Sequence, residues 1–363
     1  MTVGIGAIVQ DTDYNGLVTR VRAVLGNGSG QTGYGQLITL TAVADASTQL
    51  ISNVEWNSLR TAINRCSRHQ QNTDQSIGAL ATGRIIGADQ SGTSVTRVDT
   101  GGVITWTHNT TDTTMGVNDF FAGVGNIENN ADLVHSTQYT LTTGRQFSSS
   151  TRTQQWGGAG QLQTINCTFE VQFQGGYNVT NTDGTTSVAT GAEHRRHFFN
   201  AGGQIRVSGV NSGASGLKGS DWAVMLQNMG QVIFGKNSTT ALTGRARDGS
   251  TDVNLDGFID SAVGNYQLTT SYQLIYARNG GGQSSNYAEN IINVFARRNI
   301  NGDIITFLIE LTDNDVGDKT GTGPAVDEAV DGTLVLGLDL LRPTGSFVAV
   351  QEPAVAVADE LFA

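Results

Sequence analysis

The run Thr164-Ile165-Asn166-Cys167-Thr168-Phe169-Glu170-Val171-Gln172-Phe173 decides the fold class. From Cys167 onward, Cys167, Phe169, Val171 and Phe173 fall on one side and Thr168, Glu170 and Gln172 on the other, the two-residue period of a half-buried strand. Working outward, further strands are expected at 204–209, 231–234, 266–270, 290–297, 303–311 and 333–340. Polar connections of roughly 8–25 residues separate them. The pattern fits an antiparallel β-sandwich-like domain over 161–342, within a chain that is mainly β with a few helices (α+β). Composition agrees: 47 glycines, 3 prolines and only three lysines (Lys218, Lys236, Lys319) suit many short strands joined by polar turns.

Upstream lies a small helical module, residues 1–75. Over 11–26, Tyr14, Leu17, Val18, Val21, Val24 and Leu25 repeat at the spacing of one helical face. Acidic residues favour its start, and Gly26 suits a left-handed stop. At Ser52-Asn53-Val54-Glu55 a capping box opens a second helix whose stripe is Trp56, Leu59, Ile63 and Cys66. The two helices share a pattern, Asp13-Tyr14-Asn15-x-Leu17 against Glu55-Trp56-Asn57-x-Leu59. It reads either as a weak internal repeat or as two helices that each begin with an acid and an aromatic anchor. Between them, 37–41 is expected as a strand.

Residues 76–160 read as a loop-rich insertion with short strand-like pieces such as 103–107. The run His194-Arg195-Arg196-His197-Phe198-Phe199-Asn200-Ala201-Gly202-Gly203 reads as a strand and turn leading into the strand at 204, which puts His194 and His197 on opposite faces. A helix is expected over 220–229, capped by Ser220 and closed by Gly230, with Trp222, Met225, Leu226 and Met229 inward. The tail 343–363, sparse in turn signals, reads as an extended arm that pairs with a neighbour's sheet edge.

Length and charge bound the function. A chain of 363 residues exceeds the roughly 250–300 at which single cores stop growing, so more than one domain is expected. A net charge of −11 disfavours nucleic acid and anionic membrane as partners. No 18-residue apolar run and no secretory signal occurs, so the expectation is a soluble protein made in a cytoplasm. Cys66 and Cys167 read as two buried thiols.

The sharpest chemical motif is Asp252-Val253-Asn254-Leu255-Asp256-Gly257-Phe258-Ile259-Asp260, which resembles a calcium loop with Asp252, Asn254, Asp256 and Asp260 as ligands. Position 12, where a bidentate carboxylate belongs, is Val263, so an Asx-rich turn is the favoured reading; no other cofactor is expected. A second acidic cluster, Asp313, Asp315, Asp318, Asp327, Glu328 and Asp331, reads as solvated loop. Tyr34, Trp106, Trp156 and Tyr177 could stack on sugars but read better as strand-end anchors. No Cys-x-x-Cys, Walker loop, Gly-x-Ser-x-Gly or His-Glu-x-x-His motif occurs, and no enzyme is expected.

Three blocks carry a resemblance. They are Asp13-Tyr14-Asn15-x-Leu17 with Gly33-Tyr34-Gly35-Gln36, Trp56-Asn57-Ser58-Leu59-Arg60 and His69-Gln70; Arg196 to Arg206 with Trp222; and Ile304-Ile305-Thr306-Phe307 through Asp331-Gly332-Thr333 to Arg342-Pro343-Thr344-Gly345. They are similar to structural proteins in virions of tailed bacteriophages, particularly marine and cyanobacterial ones. The resemblance implies a tail, neck (collar) or tail-fibre component located in the virion. It implies a homo-oligomer, trimer or hexamer, that contacts other virion proteins and carries no catalytic residues. Tyr14, Leu17, Trp56, Leu59, Phe347 and Val350 are the candidate subunit contacts. The alternative is a receptor-binding fibre or adhesin domain that recognises host surface glycan.

Overall fold

The computed structural model describes residues 9–44, 51–80, 84–86, 94–100, 103–109, 116–141, 147–242, 257–259, 262–279, 287–315 and 328–360. The chain divides into two compact units. One comprises Met1–Thr140, Gly175–Gly202 and Pro343–Gln351; the other comprises Leu141–Gln174, Gly203–Arg342 and Glu352–Ala363. Of the expected boundaries at 75, 160 and 342, the last coincides with a division between the units and the first two do not. The helical unit runs on through 140 and takes in two later segments.

In the helical unit, α1 (Asp11–Leu25) buries the whole predicted stripe from Tyr14 to Leu25. The Gln10 amide donates to Asp13 Oδ2 at its start. Gly26 ends it at φ −81°, not left-handed; glycine is needed because a Cβ there would lie 2.2 Å from the Thr180 carbonyl oxygen. Helix α2 (Asn53–Gln71) begins at the predicted Ser52/Glu55 box and stops at Asn72, in the left-handed region at φ 59°. A third helix, α3 (Val117–Asn129), was not legible; it buries Phe120, Phe121, Val124 and Ile127. The three meet through edge-on and tilted rings, Tyr14 to Trp56 at 5.1 Å and Trp56 to Phe120 at 4.9 Å.

The shared pattern of α1 and α2 has a structural counterpart. Asn15 Nδ2 donates to the Val43 carbonyl (2.9 Å) while its Oδ1 accepts from the Val43 amide (2.8 Å). Asn57 does the same to Leu80, at 2.8 and 2.9 Å. Each helix thus clamps a later extended segment by the same two bonds.

Residues 37–41, expected as a strand, pair with none. Arg22 Nη2 donates to the Leu40 carbonyl, and the Ile38 amide to Thr180 Oγ1. Residues 194–199 are likewise not a strand: they belong to α4 (Gly191–Asn200). The reason is the box Thr190-Gly191-Ala192-Glu193, where Thr190 Oγ1 accepts from the Glu193 amide and the Glu193 carboxylate from the Thr190 amide. Gly202, at φ 93°, then turns the chain; a Cβ there would lie 2.3 Å from Val134 Cγ1.

The second unit contains two antiparallel sheets and is a β-sandwich in class. One sheet runs Thr239–Leu242, Gln231–Phe234, Gln204–Ser212, Thr333–Pro343, with Phe147–Ser148 paired to the last. The other runs Gly257–Ile259, Gln273–Asn279, Ile291–Arg298, Ile304–Thr312, Thr164–Gln172, Ala354–Glu360. Alternation buries Ile165, Cys167, Phe169 and Val171 with Ile305, Phe307, Ile309 and Leu311. Phe234 meets Phe307 edge-on at 5.3 Å between the sheets. Helix α5 (Leu217–Met229) lies on the first sheet, where Gly209 leaves room for Leu226.

Two expectations fail in this unit. Residues 266–270 hold a 3-10 turn (Asn265–Gln267), and the strand follows at Gln273–Asn279. Nor is the tail an arm for a neighbour: Ala354–Glu360 is the end strand of its own sheet, pairing with Thr164–Gln172, Val355 opposite Val171. Its alternating valines and alanines find their partner within the chain.

Candidate functional site

Two buried polar clusters, one in each unit, are the candidates. In the helical unit, α4 presents His194 and His197 on one side, both fully buried. His197 Nε2 lies 3.0 Å from the Asn27 carbonyl, which only accepts, so Nε2 carries the proton. Its Nδ1 therefore takes the bond from the Tyr177 hydroxyl at 2.7 Å. His194 Nε2 donates to the Gln351 carbonyl (2.8 Å) and its Nδ1 accepts from the Gly175 amide. His69 Nε2 donates to the Ala201 carbonyl at 3.0 Å. Burial lowers all three, His69 and His197 to about 4, so the rings are neutral and fixed in one tautomer near neutral pH.

Asn27 joins this cluster together. Its Nδ2 donates to Glu193 Oε1 (2.9 Å) and Asn181 Oδ1 (3.0 Å), and its Oδ1 accepts from Arg196 Nη2 (2.7 Å). Gly35, at φ 69°, passes so close that a Cβ would lie 2.3 Å from His197 Nδ1. Nearby is a cleft of about 330 Å³ bordered by Gln36, Leu37, Tyr177, Ala349 and Val350. Its polar groups already serve the fold. Gln36 Nε2 donates to the Tyr34 and Ala349 carbonyls, its Oε1 accepts from Arg65, and the Tyr177 hydroxyl is held by His197.

In the β unit, the acidic cluster read as solvated loop divides: Asp313 and Asp315 are buried, whereas Glu328 and Asp331 are half-buried. Lys218 Nζ, on the first turn of α5, lies 2.9 Å from Asp313 Oδ2 and 3.3 Å from Asp315 Oδ2, with the lysine and Asp313 side chains fully buried. The Asp315 amide donates to Asp313 Oδ1 at 3.2 Å. Burial outweighs the lysine and pushes the Asp313 carboxyl up to about 6. Asp331 accepts from the Ser215 and Gly216 amides and so caps α5, which begins at Leu217 rather than after Ser220. Glu328 accepts from the Tyr287 hydroxyl. Asp318 and Asp327 lie outside the described residues.

Of the candidate subunit contacts, Tyr14, Leu17, Trp56 and Leu59 are at most 2 % exposed and form the core of the helical unit, so they present no face to a second copy. Val350 is buried too, and Phe347 lies half-buried beneath the Arg68 guanidinium, 5.4 Å from the ring centre. The Phe347 carbonyl accepts from Arg65 Nε. Asp252, Asn254, Asp256 and Asp260 lie outside the described residues. Among the described residues no group of three or more His, Cys, Asp or Glu side chains is placed to hold a metal, and no helix is long and apolar enough to cross a membrane. Tyr34 and Trp156 are buried anchors, and Cys66 and Cys167 are buried thiols not joined in a disulfide.

The buried lysine was missed because the helix was expected only from Ser220; the signal that could have found it is that Lys218 falls on the same helical stripe as Trp222, Met225 and Met229. Gly35 was marked only as part of the Gly33-Tyr34-Gly35-Gln36 block, and Asn27 gave no signal. No protein-family model, no curated protein and no solved structure matches the chain.

Proposed function

We infer that the chain is a structural component of a tailed-phage virion, a tail, neck or fibre part that assembles through symmetric subunit contacts. One observation supports this reading above others: residues that carry the sequence resemblance, far apart along the chain, are wired to one another inside the helical unit. Gln70 bonds the Tyr34 hydroxyl, Asn200 the Gly33 carbonyl, and His197 abuts Gly35. Residues used in this way hold a backbone in place instead of presenting groups to a substrate.

Analytical ultracentrifugation of the purified chain tests the assembly claim: a closed trimer or hexamer is expected. A monomer at every concentration, together with absence of the chain from purified particles, refutes it. Glycan binding is the second reading, supported by Tyr272, 38 % exposed, which stacks under the Arg297 guanidinium at 4.4 Å and meets Phe295 edge-on. An array of envelope polysaccharides, with Tyr272→Ala as control, distinguishes it.

A further inference from the structure

The chain has three lysines, and one of them, Lys218, is fully enclosed with its amine against a carboxyl group. An ammonium taken from water is costly even when paired, and a conventional ion pair would serve as well at the surface. What distinguishes this pair is its second carboxyl group. Asp315 Oδ2 lies 3.3 Å from the same Nζ, and its own backbone amide donates to the far oxygen of Asp313.

We propose that Lys218 and Asp313 become joined by an intramolecular isopeptide bond, formed by the folded chain itself with Asp315 as its acid–base catalyst. In the dry interior the ammonium proton passes to a carboxylate, leaving a neutral amine and a neutral carboxylic acid. The amine lone pair attacks Asp313 Cγ and an N–C bond forms. Negative charge collects on Oδ1, where the Asp315 amide already donates. Asp315 takes a proton from the nitrogen and delivers it to Oδ2, the Cγ–Oδ2 bond breaks, and Oδ2 leaves as water. Ammonium and carboxylate become amide and water, with no oxidant, nucleotide or metal required.

The surroundings suit that step. Asp313 is placed by its own amide, which donates to the Gln163 carbonyl at 2.8 Å, and the Asn314 amide is held by Asn290 Oδ1. Gly157, at φ 78°, closes over Asp313 so tightly that a Cβ would lie 2.1 Å from Oδ2. Beside it Trp156 packs on Trp222, one turn along α5 from Lys218, with ring centres 4.9 Å apart. A carboxyl raised to about 6 by burial is, in addition, more readily the electrophilic acid. The bond would join residues 95 apart in sequence, fixing the start of α5 to the end of the strand Ile304–Thr312. A load-bearing β-sandwich gains resistance to forced unfolding from such a link, since it caps how far the chain can be extended.

Intact-mass measurement on the full chain, followed by tandem mass spectrometry of a protease digest, tests this. The expected result is a mass one water lower than the sequence requires and a branched peptide that joins the segments holding Lys218 and Asp313. Lys218→Arg and Asp315→Ala should both show the full sequence mass; if either is insoluble, the same reading is made on protein extracted in denaturant. Wild-type protein at full sequence mass, or a water lost at another pair of residues, overturns the bond. A branched peptide that persists in Asp315→Ala overturns the catalytic role of Asp315.

Discussion

Mild acid should unfold the helical unit, and the histidines set how steeply. His69 and His197 fall from 6.5 in a solvated chain to about 4 in the fold. Because the folded rings are depressed, the unfolded chain binds more protons between those values, so stability rises with pH and is lost as pH falls. At 1.36 kcal/mol per pH interval, each ring has removed about 2 kcal/mol by pH 5 and about 3 by pH 4. The pair therefore removes about 4 kcal/mol by pH 5, a large share of the 5–15 kcal/mol that holds a typical domain. His194, also lowered by burial, acts in the same direction. Glu193, held below its ordinary 4.5 chiefly by bonds from Thr190 and Asn27 against the opposing effect of burial, contributes only at lower pH.

The assay is equilibrium urea unfolding at about pH 7.5, 6 and 5, with the slope of stability against pH read as protons taken up. Hydrogen exchange resolved by peptide assigns the loss to α1, α2 and α4. His197→Gln retains a donor for the Asn27 carbonyl and an acceptor for Tyr177 but does not titrate, so it should reduce the uptake by about one proton. A variant whose pH profile runs parallel to the wild type would refute the reasoning, because it would mean the buried ring already carries its proton in the fold.

Gly35→Ala places a Cβ against the His197 ring at a positive φ and should cost about 2–4 kcal/mol in urea unfolding, with loss of the Tyr177 bond visible in the tyrosine near-ultraviolet signal. Asn27→Ala removes the side-chain bonds to Glu193 Oε1, Asn181 Oδ1 and Arg196 Nη2, while Thr190 still bonds Glu193 and the backbone carbonyl of residue 27 still takes Arg196, and should cost about 1–3 kcal/mol. Deletion of residues 354–363 strips the end strand from Thr164–Gln172, so the β unit should melt earlier while the oligomeric mass stays the same. Loss of the oligomer with unchanged melting would restore the tail as an inter-subunit arm.

Legibility in the sequence followed the range of the interactions. The strands 164–172, 231–234 and 304–312 were readable because alternation is local and every second residue faces one core. Helices α1 and α2 were readable for the same reason at a longer period. Helix α4 was misread because Phe198-Phe199 suggests a strand, although the capping box four residues upstream of His194 carried the correct signal. The strand expected at 37–41 failed because Ile38 and Leu40 sit two residues apart as in a strand, yet Arg22 and Thr180 hold the backbone instead. Solvation was the other error. Asp313 and Asp315 look like any acidic loop until Lys218, 95 residues earlier, is placed against Asp313, and no local pattern encodes that meeting.

The shared motif of α1 and α2 changes meaning once the clamps of Asn15 and Asn57 are seen. An acid at the helix start and an aromatic anchor can arise independently, since each answers a local need of any helix. An asparagine on the third position that grips both amide and carbonyl of a residue 28 or 23 positions downstream answers no local need. Its two occurrences imply a repeated helix-and-strap unit, with Tyr14 and Trp56 as equivalent rings packed on each other. Two such units facing through their aromatics bury one continuous core between them, which neither could bury alone. That is why Tyr14, Leu17, Trp56 and Leu59 turned inward: the face that looked ready for a second copy of the chain is already covered by the second copy of the motif.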